Sequence, residues 1–241
     1  MKYKFYHGIV SQILFETQTV RRFFIKIPEL NTYDFRAGQF TMLDLPIRSK
    51  VTTRAYSIAS APNGDNEVEL VIVKKDGGLG TNYLFEEIMV GSEIKISEPI
   101  GKFTCPRTDS LGLPLVFVCT GTGIAPFRSM ILDILNHNAP FRNIFLIIGC
   151  RTQKDILFDA EMSELAAKIP TFSFIPVLSR PENDTWQGQR GYVHPVYLQI
   201  VNRFPESIVY LCGWKAMVNE ARTNLANAGI QKEKIRFELY D

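Results

Sequence analysis

The first part of the chain alternates apolar and polar positions in short runs separated by turn residues. Such runs cover residues 4–15, 20–27, 39–45, 55–59, 68–74 and 93–97. Alternation of this period predicts half-buried strands, and short, evenly spaced strands predict an antiparallel barrel or sandwich. One helix interrupts the series, predicted over 80–89, where Leu84, Phe85, Ile88 and Met89 recur at helical spacing. Beyond the segment 106–114 the pattern changes. Continuous apolar runs at 115–119, 144–149, 172–178 and 209–212 alternate with helical patterns at 125–136, 155–168 and 215–227, the last stopped by Gly229. Buried strands alternating with amphipathic helices predict a parallel, doubly wound α/β sheet. A boundary near residue 106 follows, with an N-terminal antiparallel β-barrel over 1–106 and an α/β domain over 107–241.

Composition narrows the class. The chain has 241 residues, 46% hydrophobic and 22% charged, as expected for two globular domains. A formal net charge of +2 gives no bulk electrostatic case for nucleic acid or membrane. A local basic patch for an acidic protein partner stays open. No apolar run approaches the roughly 20 residues of a membrane helix. The basic N-terminus lacks a continuous apolar core, reads as the first strand, and leaves the cytoplasm as the expected location. Cys105, Cys119, Cys150 and Cys212 are too scattered for a zinc or iron–sulfur site, so no metal is expected. Cys119 and Cys150 end apolar runs and read as core thiols.

Four segments carry candidate chemistry. Cys119-Thr120-Gly121-Thr122-Gly123-Ile124-Ala125-Pro126 follows a strand and opens a helix, which suits a pyrophosphate or an empty glycine turn. It lacks the third glycine of the dinucleotide fingerprint. In Arg54-Ala55-Tyr56-Ser57-Ile58, Arg54, Tyr56 and Ile58 share a strand face, as a phosphate clamp beside an aromatic platform requires. Ser57 points the other way on an ideal strand, and an ordinary strand with an edge arginine is the competing reading. Asp76-Gly77-Gly78-Leu79-Gly80-Thr81 leads into a helix with Thr81 near its N-cap, a second anion site or a plain capped turn. Leu211-Cys212-Gly213-Trp214-Lys215-Ala216-Met217 ends a strand at a small residue, where parallel sheets bind ligands or simply turn.

Together these residues resemble the ferredoxin–NADP reductase family over nearly the whole chain. The resemblance rests on Arg54-x-Tyr56-Ser57, Gly78-x-x-Thr81, Gly121-Thr122-Gly123-Ile124-Ala125-Pro126-Phe127-Arg128-Ser129, Cys212-Gly213-x-x-x-Met217 and Glu238-x-Tyr240, in this order. It implies a six-stranded barrel that binds FAD. Arg54 would then contact the flavin phosphates, Tyr56 would stack on the ring and Ser57 would lie near its hydride-accepting nitrogen. Val73 would follow the ribityl chain, with Gly78 and Thr81 at the pyrophosphate. The second domain would bind NADP, or NAD, with Thr122 and Gly123 at its pyrophosphate and Gly213 and Met217 in the same site. Cys212 and Glu238 would flank the nicotinamide. Tyr240 would cover the flavin and move aside for hydride transfer. Asp241 stands beyond the usual terminal aromatic and puts that stacking in question.

Arg151, Arg180 and Arg190 follow successive strands and resemble the arginines that hold a 2′-phosphate, which favours NADPH. Arg180 carries most of that argument. No acid–base pair is expected, so Ser57 and Glu238 would orient groups and tune charge. The implied activity is hydride transfer from NADPH to FAD, with single electrons passed to ferredoxin, flavodoxin or an oxygenase component. Two alternatives remain. A reductase using free flavin as substrate would lack the Gly78–Thr81 loop. A non-catalytic nucleotide-binding subunit would have no need to keep Ser57, Cys212, Glu238 and Tyr240 together.

Overall fold

The computed structural model describes residues 3–48, 50, 52–105, 112–137, 143–182 and 185–240. The expected boundary at 106 and the terminal Asp241 lie outside the described residues. The chain divides into two compact units, Met1–Cys105 with Ala125–His137, and Pro106–Ile124 with Asn138–Asp241.

The first unit is built on an antiparallel six-stranded sheet. Its strands are β1 (Phe5–Phe15), β2 (Val20–Lys26), β3 (Phe40–Asp44), β4 (Thr53–Ser57), β5 (Glu67–Val73) and β6 (Glu93–Ser97), with helix α1 (Leu79–Glu86) before β6. The spatial order is β4-β3-β6-β1-β2-β5. The sheet curls until its two end strands meet. Ile58, just past β4, makes an antiparallel bridge with Leu70 of β5, and the Ala59 N–H donates to the Glu69 carbonyl at 2.8 Å. Closure of this kind removes the exposed edges that an open sheet would present.

Alternation along the strands fills the interior. Phe23 and Ile25 of β2, Leu43 of β3, Val68, Leu70 and Ile72 of β5, and Ile94 and Ile96 of β6 form one apolar cluster, with Leu84 and Phe85 of α1 packed into it. One polar knot is buried beside it. The Tyr33 hydroxyl donates to the Ser97 carbonyl at 2.6 Å and lies 3.1 Å from the Thr41 hydroxyl. Burial raises the Tyr33 pKa far above its usual value, so the phenol stays neutral.

The second unit is a parallel six-stranded sheet. It comprises β7 (Leu115–Thr120), β8 (Ile144–Cys150), β9 (Phe172–Leu178), the two-residue β10 (Gln189–Arg190), β11 (Ile208–Trp214) and β12 (Ile235–Tyr240), in the order β10-β9-β8-β7-β11-β12. The helices are α2 (Ile124–Asn136), α3 (Asp159–Lys168), α4 (Val193–Arg203) and α5 (Lys215–Asn227). Residues 125–136 of α2, with His137 after it, group with the first unit. Val116, Val118, Ile147, Val209 and Leu211 of the sheet bury one face against Val193, Val196 and Tyr197 of α4 and Val218, Ala221 and Leu225 of α5. Gly229 stops α5 with a φ of 84°, and the amides of Gly229 and Ile230 return to the carbonyls of Ala226 and Leu225. That left-handed turn satisfies the helix end and favours glycine.

The two-domain class is as the sequence implies, with local differences. β4 begins at Thr53 and ends at Ser57, two residues earlier than the apolar pattern. α1 stops at Glu86 instead of running to Met89, because the chain turns there to bring Gly91 N–H onto the Val10 carbonyl. The helix expected from 155 starts at Asp159, after a 3-10 turn at Gln153–Asp155 closed by Thr152 and Asp155. The elements α4, β10 and β12 were not anticipated.

Replacing Tyr33 by Phe removes a buried donor without opening a cavity. Stability should fall by about 1 kcal/mol, read as a lowered denaturant midpoint with an unchanged slope. An unchanged midpoint would mean that the knot contributes nothing.

Candidate active site

In the first unit, β4 and the start of α1 bring the expected flavin residues together. Gly78 takes the N-cap position of α1 in extended conformation, and no acidic residue occupies the first turn. The helix therefore presents free amides and an uncompensated positive end. Gly80 explains how a cation comes to join it. A Cβ at Gly80 would meet Arg54 Cγ at 3.1 Å and Nε at 3.3 Å, so the arginine lies across the first turn of α1. Arg54 Nη1 also donates to the Thr53 carbonyl at 2.9 Å. A guanidinium beside free helix amides is a fit for a phosphate-bearing cofactor such as FAD.

Thr81 is not the N-cap. It stands three residues into the helix register, its hydroxyl accepting from the Lys75 N–H at 3.1 Å and lying 3.2 Å from the Gly78 carbonyl. The hydroxyl is used to close the preceding turn, which leaves capping to the backbone of Gly78. Gly77 has a φ of 68° and faces open space. Arg21 fixes the other end of α1. Its Nη1 donates to the Phe85 carbonyl at 2.9 Å, and its guanidinium lies over the rings of Phe15 and Phe85.

Tyr56 shares the half-buried face of β4 with Arg54, and Ser57 on the opposite face is buried. Burial pushes the Tyr56 phenol up to about 12, with Arg54 opposing the shift. The ring is thus a neutral surface at working pH. Val73, at the end of β5, is exposed.

In the second unit, β7 and β11 are neighbours at the point where the strand order reverses, the usual ligand crevice of an open α/β sheet. The carboxyl ends of these strands and the turn after β7 meet without room for side chains. A Cβ on Gly123 would lie 2.6 Å from the Cys212 carbonyl, and one on Gly213 would lie 2.4 Å from the Thr120 hydroxyl. That hydroxyl instead accepts the Trp214 N–H at 3.1 Å. Gly213 has a φ of 128° and Gly121 a φ of 52°, with nothing near Gly121. The 3-10 turn Gly121–Gly123, which contains Thr122, leads straight into α2, and no acidic residue lies in either first turn. This cradle suits the pyrophosphate of a dinucleotide.

Cys212 pairs in register with Glu238 across β11 and β12. Its thiol is pushed well above the usual range by burial first and by Glu238 second, with a hydrogen bond from Tyr240 opposing. Cys212 is therefore a neutral thiol. Met217 packs against the apolar cluster beneath α5 and anchors the start of that helix. Cys119 is buried, while Cys150 is half-buried and held as a thiol at about 12, chiefly by burial.

The three candidate arginines gather at the carboxyl ends of β8, β9 and β10. The Arg180 N–H donates to the Arg151 carbonyl at 2.8 Å. Arg190 pairs in register with Leu178, and its Nη2 donates to the Trp186 carbonyl at 3.2 Å. All three are exposed. Sequence reasoning missed the part played by Thr120, whose hydroxyl locks the Gly213 loop, and by Gly80, whose missing side chain seats Arg54. Both stand inside motifs chosen for other residues. Among the described residues no His, Cys, Asp and Glu cluster could hold a metal ion, and no helix is long and apolar enough to cross a membrane.

Residues 7–105 match the oxidoreductase FAD-binding domain family, and residues 117–223 match the oxidoreductase NAD-binding domain family. The reductase component of phenol 2-monooxygenase from Pseudomonas sp. (strain CF600) is 34% identical over 238 residues, covering 98% of this chain but only 65% of that protein. Ferredoxin–NADP reductase B of Sorangium cellulosum (strain So ce56) is 34% identical over 215 residues, with 86% of each chain covered. Among solved structures, a ferredoxin NADP+ reductase from Neisseria gonorrhoeae with bound FAD and NADP superposes with a TM-score of 0.83 at 26% identity, covering 99% of both chains. With an FAD-binding and an NAD-binding domain in that order, the chain belongs to the ferredoxin–NADP reductase family of flavin-dependent oxidoreductases.

Proposed function

We propose that this chain takes a hydride from NADPH onto FAD and passes the electrons singly to a separate protein acceptor. The observation that carries the reading is Arg54 laid across Gly80 at the open end of α1. Such a phosphate grip retains a flavin dinucleotide and argues against a flavin that diffuses in and out. FAD supplies the chemistry of accepting two electrons at once and releasing them one at a time. The chain's own residues bind and orient. In this reading the flavin domain occupies 1–106, with Arg54, Gly78 and Thr81 at the phosphates, Val73 along the ribityl chain and Tyr56 against the ring. Ser57 places its hydroxyl beside the accepting nitrogen.

The nucleotide domain occupies 107–241. Thr122, Gly123 and Gly213 cradle the pyrophosphate, and Met217 supports that site from the core. Cys212, a neutral thiol, and Glu238 flank the nicotinamide. Tyr240, whose hydroxyl meets the Cys212 thiol, yields its place during hydride transfer. The gathering of Arg151, Arg180 and Arg190 supports NADPH over NADH, because a 2′-phosphate is best held by several guanidinium groups.

Ferredoxin, flavodoxin and an oxygenase component are the acceptor classes. The oxygenase component is favoured by the phenol 2-monooxygenase reductase, which matches 98% of the chain. We place the reaction in the cytoplasm, where thiols such as those of Cys119 and Cys212 persist.

Anaerobic reduction of the purified protein with NADPH, followed by rapid mixing with one-electron protein carriers, tests the reading. Fast single-electron reoxidation is expected. Reoxidation by free flavin alone would overturn it in favour of a flavin reductase. Arg54→Ala should leave the protein with much less bound FAD after purification; unchanged flavin content would remove the proposed clamp. Arg180→Ala should raise KM for NADPH by about tenfold or more, the scale of one lost charge-assisted contact, and leave KM for NADH nearly unchanged. Equal effects on both would remove Arg180 from the 2′-phosphate site.

A further inference from the structure

β4 is an end strand of its sheet. β3 holds Ser57 through its pairing with Phe40, and the seam with β5 begins at the next residue, Ile58. The segment just after Ser57 is fixed from several directions. There the Ile58–Leu70 bridge closes the barrel, and two successive carbonyls, those of Ala59 and Ser60, are taken by two successive side chains of α2. Arg128 Nη1 donates to the Ala59 carbonyl at 2.9 Å, and Ser129 Oγ donates to the Ser60 carbonyl at 2.6 Å. All these residues belong to the first unit.

Arg128 is itself held by a buried charge. The same Nη1 donates to Glu69 Oε2 at 2.9 Å, while Glu69 Oε1 accepts from Arg22 Nε at 2.5 Å. Glu69 is 3% exposed and Arg128 7%. Glu69 lies on the outer face of β5, opposite the face that carries Val68, Leu70 and Ile72 into the barrel core. A carboxylate buried there gains little as a stability device, since well-packed apolar groups would serve as well or better. It does supply a fixed direction. It draws the guanidinium to one point, from which one hydrogen bond reaches the Ala59 carbonyl. The Glu69 N–H also donates to Ser60 Oγ at 3.1 Å.

We propose that Arg128 and Ser129, oriented by Glu69, are positioning residues that set Ser57 against the flavin by fixing the chain just beyond it. This rests on the flavin-site reading above. The three act through the backbone and touch neither cofactor. Hydride transfer demands close placement of the reacting atoms, and a displacement of about 1 Å can cost on the order of a hundredfold in rate.

The test is stopped-flow bleaching of the FAD-loaded holoenzyme by NADPH without oxygen, in wild type, Ser129→Ala, Arg128→Ala and Arg128→Lys. The limiting rate should fall several-fold in Ser129→Ala and by about tenfold or more in Arg128→Ala, a fraction of the loss that misplacement can cause. Lysine, which can reach toward both oxygens, should restore part of it. FAD content and the NADPH dissociation constant should stay near wild type. A purely structural role would lower FAD retention and dinucleotide affinity together with the rate, and that result would overturn the proposal. So would limiting rates all within about twofold of wild type, a change too small to reflect misplacement. Should Arg128→Ala fail to fold, Ser129→Ala decides alone. A wild-type protein that binds FAD and is never bleached would overturn the functional reading itself, whereas normal wild-type bleaching with unaltered variants overturns only the positioning.

Discussion

Closure of the N-terminal barrel is the constraint on which the flavin site depends. The sheet closes through the Ile58–Leu70 bridge and the Ala59–Glu69 hydrogen bond. That seam lies immediately after Tyr56 and Ser57, so the geometry of the site is inherited from the closure. A buried arginine–carboxylate pair and a serine hydroxyl secure the same seam from α2. Among the described residues the barrel core is an apolar cluster, with the polar knot of Tyr33, Thr41 and Ser97 beside it.

Both units build a phosphate-compatible helix start in the same physical way. A helix or 3-10 turn begins without an acidic residue, so its amides and positive end are uncompensated. A glycine then removes the Cβ that would block a close approach. At Gly80 the approaching group is Arg54; at Gly123 and Gly213 it is the end of the neighbouring strand. Two buried ionisable groups among the candidate site residues are kept neutral. Tyr56 and Cys212 are both pushed upward by burial. This suits a reaction in which the cofactors carry the electrons and the protein places them, with no proton-abstracting group required.

Much of this was legible in the sequence, because the signals were local. The apolar runs of β7, β8 and β9, the glycine turn before α2 and the stop at Gly229 each reflect nearest-neighbour physics. The misses have equally physical causes. β12 reads Ile-Arg-Phe-Glu-Leu-Tyr and is half exposed at the sheet edge, so it lacks the apolar run of its neighbours. α4 carries Pro195 in its first turn and polar residues among its apolar ones, which disguised its period. Thr81 stands in a capping-like context, yet its hydroxyl serves the turn before the helix. The link between Glu69 and Arg128 spans 59 residues, and no local pattern announces a contact of that range. Arg151 and Arg180 follow different strands, and the backbone hydrogen bond that stitches their loops is a property of the parallel sheet.

The central claim is that hydride passes from the reduced dinucleotide to FAD held by this chain. The most direct measurement is the rate of anaerobic flavin bleaching with NADPH deuterated at the transferring carbon, compared with ordinary NADPH. A clear slowing by the deuterated donor is predicted, since a C–H bond breaks in the step observed. Failure to bleach with either donor, or bleaching whose extent is independent of added dinucleotide, would contradict the account.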